Sequence, residues 1–389
     1  MKWPAVAGKG LRALLGLLLL VIGWAGFFTL GALATTYPVV APTPGATPWI
    51  RGAFHVHTTR SDGRGSVQEV AAAAKAAGLR FVVLTDHNDF APREPAFLDG
   101  VLMIPAVEIS TAQGHLVAVG LERPLEGVKP WGDAALAEAA VRAAGGRSVL
   151  AHPVQTRNPW RHEEVARRAD GFELYSADTF FREAVRRPMS RLVPALGALL
   201  GRPLHGVMML VEPEPGPIER LLALEREKPR VALCAHDAHG LPRYEDVFRA
   251  MAMYLPPGGE ASGAGLPGDA RAAARWVNAR LTGGEALCAF RALGEPEGFA
   301  LEGLVPGARE ARVGKVLTVR LPPHEGAEVE VRVWGGGRLR PDGVTVELVE
   351  AGAVQVEAWL RAPGGLLGSR WRPWVVPSPV RVVSRSGAR

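Results

Sequence analysis

The stretch Phe54-His55-Val56-His57, followed by Ser61-Asp62-Gly63, determines how the rest of the sequence is interpreted. Two imidazoles at positions i and i+2 of an extended segment project to the same side of a strand. The next carboxylate, Asp62, lies in a loop beside a glycine and is able to curl back over that side. The stretch therefore predicts a β-strand whose end presents a metal site.

Four later stretches repeat this arrangement, because each places a histidine, aspartate or glutamate at the end of a short apolar run. They are Thr85-Asp86-His87-Asn88, Val107-Glu108-Ile109-Ser110, Ala151-His152-Pro153 and Asp237-Ala238-His239. In a parallel α/β sheet or barrel, the strands deliver such side chains to one mouth. About seven candidate strands alternate with helices over residues 50–285, which predicts a barrel-like α/β layout.

Composition excludes some classes of function. The net charge of the 389-residue chain is +6, with six lysines against 39 arginines, but the arginines are spread along the chain. Without clusters of basic and aromatic residues, no specific nucleic acid is expected as a partner. Cys234 and Cys288 give neither a disulfide framework nor the spacing of a zinc knuckle. Cys234 lies in an apolar run and is expected to pack in the core.

Residues 1–34 are predicted to be a membrane anchor or a signal peptide. Basic residues precede an uncharged, mostly apolar segment, 13–34, which is long enough to span a bilayer with its basic flank in the cytoplasm. Ala32-Leu33-Ala34 has the small-x-small form of a cleavage site, so both alternatives stay open, with a slight preference for the anchor. Residues 35–49 are predicted to be a stiff Pro-rich linker. The bulk of the chain is therefore expected outside the cytoplasm, in the periplasm or on the cell surface.

Residues 286–389 show a different pattern. Glycine and proline punctuate short runs in which apolar and polar residues alternate, as in Val329-Glu330-Val331-Arg332-Val333. This period of two at short spacing predicts a small β-sandwich. The segment contains no clustered metal ligands or nucleophiles, so we interpret it as an accessory domain with a structural or binding role.

The strand-end stretches, together with His115 seven residues after Glu108, contain six of the ten histidines, and the carboxylates of Asp62, Glu108 and Asp237 join them. Burying so many ionisable groups together is costly unless cations neutralise them. Imidazole and carboxylate together are typical ligands of divalent metals. The candidate metal ligands are His55, His57, Asp62, His87, Glu108, His115, His152, Asp237 and His239.

This ordered set of motifs resembles that of the PHP (polymerase and histidinol phosphatase) superfamily over about residues 50–385. Glu108-Ile109-Ser110 followed by Gly114-His115, together with Pro373-Trp374 in the tail, resembles its CehA-type branch. The resemblance implies a distorted (β/α)7 barrel over residues 50–285. It also implies two or three Zn, Mn or Fe ions and the hydrolysis of phosphoesters.

The resemblance also implies a role for each ligand. One metal would be held by His55, His57, Glu108 and Asp237. Glu108 would bridge to a second metal, held with His115 and His152, and a third would be held by Asp62, His87 and His239. Asp86 is expected to orient a ligand, with direct ligation left open.

The mechanism expected from this site is attack of a metal-bound hydroxide on the phosphorus of a small phosphomonoester or phosphodiester. Asp62 or His239 is the candidate for the acid that protonates the leaving group. The same chemistry is able to cleave a carbamate, an amide or a carboxylic ester. A different class of function also stays open, namely a non-catalytic envelope protein that binds a polymer and uses its metals as structural staples.

Overall fold

The computed structural model of the protein describes residues 5–34, 49–256, 265–304, 308–324, 326–362 and 370–384. The α-helices of these residues are α1 (Ala5–Ala34), α2 (Val67–Ala76), α3 (Ala134–Ala143), α4 (Glu163–Arg168), α5 (Ala177–Arg186), α6 (Val193–Gly201), α7 (Pro203–Leu210), α8 (Pro215–Glu225), α9 (Tyr244–Ala250) and α10 (Ala270–Gly283). A π-helical turn, Pro188–Leu192, connects α5 to α6.

The β-strands occupy much of the remaining chain. They are β1 (Ile50–Val56), β2 (Phe81–Leu84), β3 (Ala96–Leu98), β4 (Val101–Pro105), β5 (Val107–Thr111), β6 (Gly114–Val119), β7 (Arg147–Ala151), β8 (Gly171–Ser176), β9 (Val231–Ala235), β10 (Ala252–Leu255), β11 (Leu287–Ala289), β12 (Ala300–Glu302), β13 (Glu310–Arg312), β14 (Val316–Arg320), β15 (Val329–Gly335), β16 (Gly337–Leu339), β17 (Thr345–Leu348), β18 (Gly352–Ala362), β19 (Arg370–Pro377) and β20 (Val380–Val383).

Local sequence signals explain where α2 begins and ends. The Ser66 hydroxyl accepts a hydrogen bond from the backbone N–H of Glu69, and the Glu69 carboxylate accepts one from the backbone N–H of Ser66. This capping box satisfies amides that the first turn leaves without partners. Gly78 follows the helix with a φ of 73°, a conformation that glycine adopts at little cost. The next strand, β2, is buried on both faces, as its apolar sequence predicts.

The first sheet forms one side of the candidate site and continues into the C-terminal strands. In it, β1 and β2 pair in parallel, as do β2 and β4, while β10 lies antiparallel on the other side of β1. From β10 the sheet continues through β11, β19, β18 and β20 to β13, with β15 also paired to β18. At the opposite end, β3 pairs with β4. The α/β class expected from the sequence is therefore confirmed.

The second sheet forms the other side of the site, in the order β5-β6-β7-β8-β9. Backbone hydrogen bonds connect the two sheets at two seams. At one seam, the His57 N–H donates to the Ala238 carbonyl at 3.0 Å; at the other, the Ala106 N–H donates to the Leu84 carbonyl at 2.7 Å. The ends of β1, β2, β5 and β9 therefore lie close together although they belong to different sheets.

The closed barrel implied by the resemblance is not found, because the described residues form mixed sheets that do not close. His55 and Asp237, on the seam between β1 and β9, have φ angles of 66° and 44°. Regular strands need strongly negative φ angles, so these two residues interrupt the ladder there. The expectation of a distorted (β/α)7 barrel is corrected on this point.

The C-terminal residues contain the short strands that the alternating pattern predicts. Strands β12, β14, β17 and β16 form a four-stranded sheet, and Leu317 and Val319 of β14 point to the core between exposed neighbours. However, β11 pairs with both β10 and β19, so the first sheet crosses the expected boundary between residues 285 and 286. The division into a hydrolase domain and a β-sandwich-like accessory domain stays a prediction.

Cys234 of β9 and Cys288 of β11 form a disulfide bond, with their Cα atoms 5.8 Å apart. The expectation that Cys234 is buried is correct, but the absence of a disulfide framework expected from the spacing of the two cysteines is corrected by this bond. The two cysteines are 54 positions apart in the chain, and only the contact between β9 and β11 brings them together. No spacing pattern in the sequence shows such a contact.

Among the described residues, α1 is the one helix that is long and apolar enough to cross a membrane, over Lys9–Ala34. Its position and composition suit a signal or an anchor. It packs against α6, and the Thr29 hydroxyl donates a hydrogen bond to the Gly197 carbonyl at 2.6 Å. The predicted linker, 35–49, lies outside the described residues except for Trp49.

Candidate metal centre

The structure brings all nine predicted ligands into one cluster at the ends of the strands, which we call the cation cluster. His55 lies in β1 and His57 follows it; His87 follows β2; Glu108 and His115 lie in β5 and β6; His152 follows β7; Asp237 and His239 follow β9; and Asp62 lies in the loop between β1 and α2. The two seams between the sheets explain this convergence, because they place the ends of the strands side by side.

Four buried donors form the inner group of this cluster: His55, His57, Glu108 and Asp237. Nε2 of His55 lies 3.1 Å from Nε2 of His57 and 3.0 Å from Oε2 of Glu108. Oδ1 of Asp237 lies 3.5 Å and 3.3 Å from the same two nitrogens. Four ligands placed tetrahedrally around a zinc ion, at its usual bond lengths, are about 3.3 Å from one another. The inner group therefore fits one four-coordinate divalent cation.

The contact partner of His55 determines which of its nitrogens carries a lone pair. Nδ1 of His55 lies 2.6 Å from Oε1 of Glu173, so the neutral ring keeps its proton on Nδ1. Nε2 is then an acceptor that faces other acceptors, an arrangement that a cation would stabilise. The other oxygen of Glu173 accepts a hydrogen bond from the His152 backbone at 2.7 Å.

The sequence analysis did not identify Glu173 as a site residue. The signal that reveals it is a carboxylate inside the otherwise apolar run of β8, where an unpaired charge would be costly. Glu173 is fully buried beside two of the predicted ligands, and it therefore orients them without belonging to any of the three candidate groups of ligands.

The backbone of the cluster is strained at three ligands. His55, His152 and Asp237 have φ angles of 66°, 31° and 44°, in a region that residues with a Cβ atom seldom occupy. Such conformations cost about 1–3 kcal/mol each and are maintained by the surrounding structure. Here the strain aims three side chains at one point, which is a recurring property of functional sites.

Electrostatic interactions within the cluster oppose the effect of burial. Burial by itself raises the pKa of Glu108 and Asp237, but the imidazoles around them, His55 above all, lower both pKa values below the ordinary range. Burial lowers the pKa of His57, yet hydrogen bonds with Asp237 and Glu108 outweigh it and raise the pKa to about 9. Without a cation, the cluster therefore holds protons, and a bound cation would displace them.

An outer group consists of Asp62, His87 and His239, together with His57. Oδ1 of Asp62 lies 3.3 Å from Nε2 of His239, and Oδ2 lies 3.8 Å from Nε2 of His87. The Asp62 side chain is 57% exposed and that of His239 is 27% exposed. This group thus lies on the solvent side of the cluster, where a substrate has access.

A third group joins His87, Glu108 and His115. Nδ1 of His115 lies 2.9 Å from Oε1 of Glu108, and Nε2 of His152 lies 3.1 Å from the same oxygen. His152 belongs to none of the three groups, although the resemblance pairs it with His115 on one metal. The other ring nitrogen of each of these two histidines is buried and has no hydrogen-bond partner among the described residues. Donor chemistry and these unpaired atoms together fit divalent cations.

Asp86 contacts the loop that carries Asp62. Its carboxylate accepts hydrogen bonds from the backbone N–H and the hydroxyl of Thr58, at 2.7 Å and 2.8 Å, and from the Ser61 hydroxyl at 2.8 Å. These three bonds fix the turn that presents Asp62 to His239. The geometry favours the orienting role expected for Asp86.

Comparison with known proteins gives matches among solved structures. No protein-family model and no curated protein matches the chain. A two-domain protein from Bacteroides vulgatus, containing a predicted PHP-like metal-dependent phosphoesterase, is 12% identical over 88% of this chain and 99% of that chain, with a TM-score of 0.40.

Two further matches cover about half of this chain. A protein from Bifidobacterium adolescentis, proposed to be a metal-dependent phosphoesterase, is 16% identical over 49% of this chain and 87% of that one, with a TM-score of 0.34. An amidohydrolase from Chromobacterium violaceum is 13% identical over 48% and 87%, with a TM-score of 0.30. The chain is thus similar to solved structures of PHP-like metal-dependent phosphoesterases, and it carries a His/Asp/Glu cluster able to bind metal.

Proposed function

We propose that the protein is a metal-dependent hydrolase that cleaves phosphoesters at the cation cluster. One observation carries the proposal: four buried donors of the inner group face one another at 3.0–3.5 Å, and Glu173 leaves His55 with a lone pair on the side of the others. Without a cation, such a set is neutralised by protons on its imidazoles, and a divalent cation would take the place of those protons. Two or three Zn, Mn or Fe ions are the ions we propose, because imidazole and carboxylate ligands suit them.

The number of ions depends on how the shared ligands are used. His57 and His87 each belong to two of the three groups, and a neutral imidazole has one lone pair. The three groups therefore cannot all use these rings at once. When bound, such ions would lower the pKa of water and neutralise charge on a phosphoryl group.

The residues of this chain supply proton transfer and orientation. Hydrolysis joins a water oxygen to phosphorus and breaks the ester P–O bond, and the leaving alkoxide needs a proton. Burial lowers the pKa of His239, but its hydrogen bond with Asp62 outweighs this and raises the pKa above the ordinary value. When the outer group holds no ion, the His239 ring is free to carry a proton at the exposed side of the cluster, and we propose it as the acid with Asp62 as its partner.

The exposure of the outer group favours catalysis over a purely structural role. Structural metal sites are closed by protein ligands, whereas catalytic sites keep a position open to water or substrate. In this cluster the inner group is buried, but Asp62 and His239 are open to solvent. Hydrolysis of an amide, carbamate or carboxylic ester would use the same open position, so the experiment includes these substrates.

We also propose that the chain belongs to the CehA-type branch of the superfamily. We further propose that it works outside the cytoplasm, anchored by α1. The apolar length of α1 and the disulfide between Cys234 and Cys288 support the location, because disulfides persist in oxidising compartments.

The test is a substrate panel on the full-length protein in detergent. After treatment with a chelator, the protein receives Zn, Mn or Fe, and elemental analysis gives the number of ions bound. We expect turnover of a chromogenic phosphomonoester or phosphodiester with metal and its loss after chelation. Turnover that is insensitive to chelation, or turnover of carboxyl substrates alone, would contradict the proposal.

The His57→Ala variant separates an enzyme from a protein stapled by metals. We expect it to stay folded by circular dichroism and to lose turnover, because His57 contacts both the inner and the outer group. His324→Ala is the matched control, since that ring hydrogen-bonds the Pro322 carbonyl in the C-terminal part of the chain. Unfolding of His57→Ala together with an inactive wild-type protein would instead support the staple.

A further inference from the structure

A cavity of about 190 Å³ opens beside the cation cluster and has two chemically different ends. Its polar end includes Asp62, Asp237 and His239 of the cluster, and the ion pair of Asp178 and Arg182 on α5 also lines the cavity. Its remaining walls are mainly apolar and buried, and they include Phe180, Val207, Leu210, Val211, Met251 and Phe290. A wholly polar substrate would leave these apolar walls in contact with water.

The mouth of the cavity is apolar as well. Leu241, which directly follows the His239-Gly240 segment, is 69% exposed, and Phe181 of α5 is 39% exposed. Large apolar side chains exposed together at the entrance of a pocket are typical of binding sites for apolar ligands. The entrance of the cavity is therefore apolar like its walls and unlike its polar end.

The wall formed by α7 belongs to a pair of helices that lies against the membrane-length helix. A Cβ atom at Gly197 of α6 would lie 2.5 Å from the Ala25 carbonyl, and one at Gly201 would lie 2.5 Å from the Thr29 carbonyl. Two glycines four positions apart allow this close approach, as in pairs of helices within membranes. The close packing and the hydrogen bond from Thr29 favour retention of α1 in the working protein.

The surface next to this packing is apolar. The side chains of Leu196 and Leu200 on α6 are exposed, Leu200 by 80%, and Met189 of the preceding turn is exposed too. They continue the exposed apolar surface of α1, which a bilayer would cover. Helix α7, which lines the cavity, packs on α6 and so joins the wall of the cavity to the part of the molecule that is most compatible with lipid.

We propose that the substrate is an amphiphilic phosphoester whose apolar group fills this cavity while its phosphate lies at the cation cluster. This rests on the proposed phosphoesterase function. Apolar cavities of about 150 Å³ bind a ligand as large as benzene, so this one accommodates a hydrocarbon or aromatic group of about six carbons, with longer chains extending through the mouth. A membrane lipid and a soluble amphiphile share this chemistry.

The experiment compares methyl, butyl and octyl phosphate, and their methyl diesters, on the metal-loaded full-length protein below the micellar concentration of each ester. We expect kcat/KM to rise at least roughly tenfold from the methyl to the octyl ester, because each buried methylene contributes to binding. Nanodiscs that contain phosphatidic acid form a second arm. Turnover in both arms supports a lipid source, and turnover of octyl phosphate alone supports a soluble amphiphile.

A pair of variants tests the cavity itself. Leu241→Ser should reduce the ratio of octyl to methyl turnover several-fold and weaken calorimetric binding of octyl phosphate to the chelator-treated protein. Leu136→Ser is the matched control, because Leu136 is also 69% exposed but lies on α3, outside the lining of the cavity.

Equal kcat/KM for methyl and octyl esters, with the two variants alike, would overturn this inference and leave the phosphoesterase function in place. If none of the esters is hydrolysed while the chromogenic substrates fail as well, the proposed function is wrong and the inference is wrong with it.

Discussion

Two of the regions in which the molecule buries carboxylates shift the pKa values of those groups in opposite directions. In the cation cluster, imidazoles lower the pKa of Glu108 and Asp237 despite burial. In the second region, which we call the Glu357 network, the Glu357 carboxylate is also fully buried, but its contacts are neutral donors. These donors are the Tyr175 hydroxyl at 3.1 Å, the Trp359 indole N–H at 2.8 Å and the Gln355 amide at 3.3 Å.

The consequence for Glu357 is a raised pKa. Burial raises it to about 7, since the hydrogen bonds from Trp359, Tyr175 and Gln355 and the attraction of Arg332 offset only part of the cost. Burial alone therefore does not determine the charge of a carboxylate in this protein. Charged or protonatable neighbours keep one region anionic and ready for a cation, while neutral neighbours make the other a structural contact. Strand β8 contributes to both regions, because Glu173 lies at the cation cluster and Tyr175 lies in the Glu357 network.

The largest expected effect separates the two regions by activity. Glu108→Gln should lower kcat/KM by more than roughly a thousandfold, because it removes the charge that five histidines and the proposed ions share. Glu357→Gln makes the same substitution in the Glu357 network and should leave kcat/KM within about twofold of the wild-type value. Steady-state kinetics with saturating metal measures both, and a comparable loss in the two variants would show that the two buried carboxylates do not differ in their importance for activity.

The next effect concerns pH and stability. The pKa of Glu357 is raised in the folded state, so its protonated form stabilises the fold below about pH 4.5, and this contribution is lost as the pH rises through about 7. A shift of this size corresponds to about 3 kcal/mol in the free energy of unfolding.

Glu357→Gln should abolish that part of the pH dependence. Urea unfolding of both proteins at pH 4.5, 6 and 8 measures it as the difference between wild type and variant. The pKa of Glu225 is raised to about 7 as well, but Glu225 titrates in both proteins and cancels. Parallel curves for the two proteins would show that Glu357 is ionised in the fold.

The smallest effect concerns the residue that orients ligands. Glu173→Gln retains one acceptor for His55 and His152 but places an amide N–H₂ against the other donor, so metal affinity should fall roughly 10- to 100-fold. Excess metal should restore turnover in Glu173→Gln and fail to restore it in Glu108→Gln. Metal titrations of both variants check this, and a loss that excess metal does not repair would make Glu173 a direct ligand.

The structure brings the nine predicted residues into one cluster, and most of them were selected by a local pattern, a polar residue at the end of an apolar run. Asp62 was selected instead from its place beside a glycine in the loop after His57. Their role as metal ligands stays a prediction. Glu173 was not identified from the sequence because its partners, His55 and the His152 backbone, are 118 and 21 positions away in the chain. A buried charge inside an apolar strand is a signal only when its partner is known.

The open arrangement of the sheets was not predictable from the same pattern. The barrel fails to close where His55 and Asp237 take left-handed backbone conformations, and neither position carries a glycine that would announce them. The disulfide likewise depends on the meeting of β9 and β11 in space. Periodicity reports which residues form strands, but the order in which strands meet depends on contacts far apart in the chain.

The disulfide and the ladder through β11 have a consequence for how this protein is able to evolve. A gene cut after residue 285 would encode a chain in which Cys234 has lost its partner and β10 has an unpaired edge, a surface that promotes aggregation. The part of the chain before residue 286 and the tail after it therefore cannot be exchanged as independent units at that point. A related protein that contains this candidate metal centre would also need strands β11 and β19, which continue the first sheet.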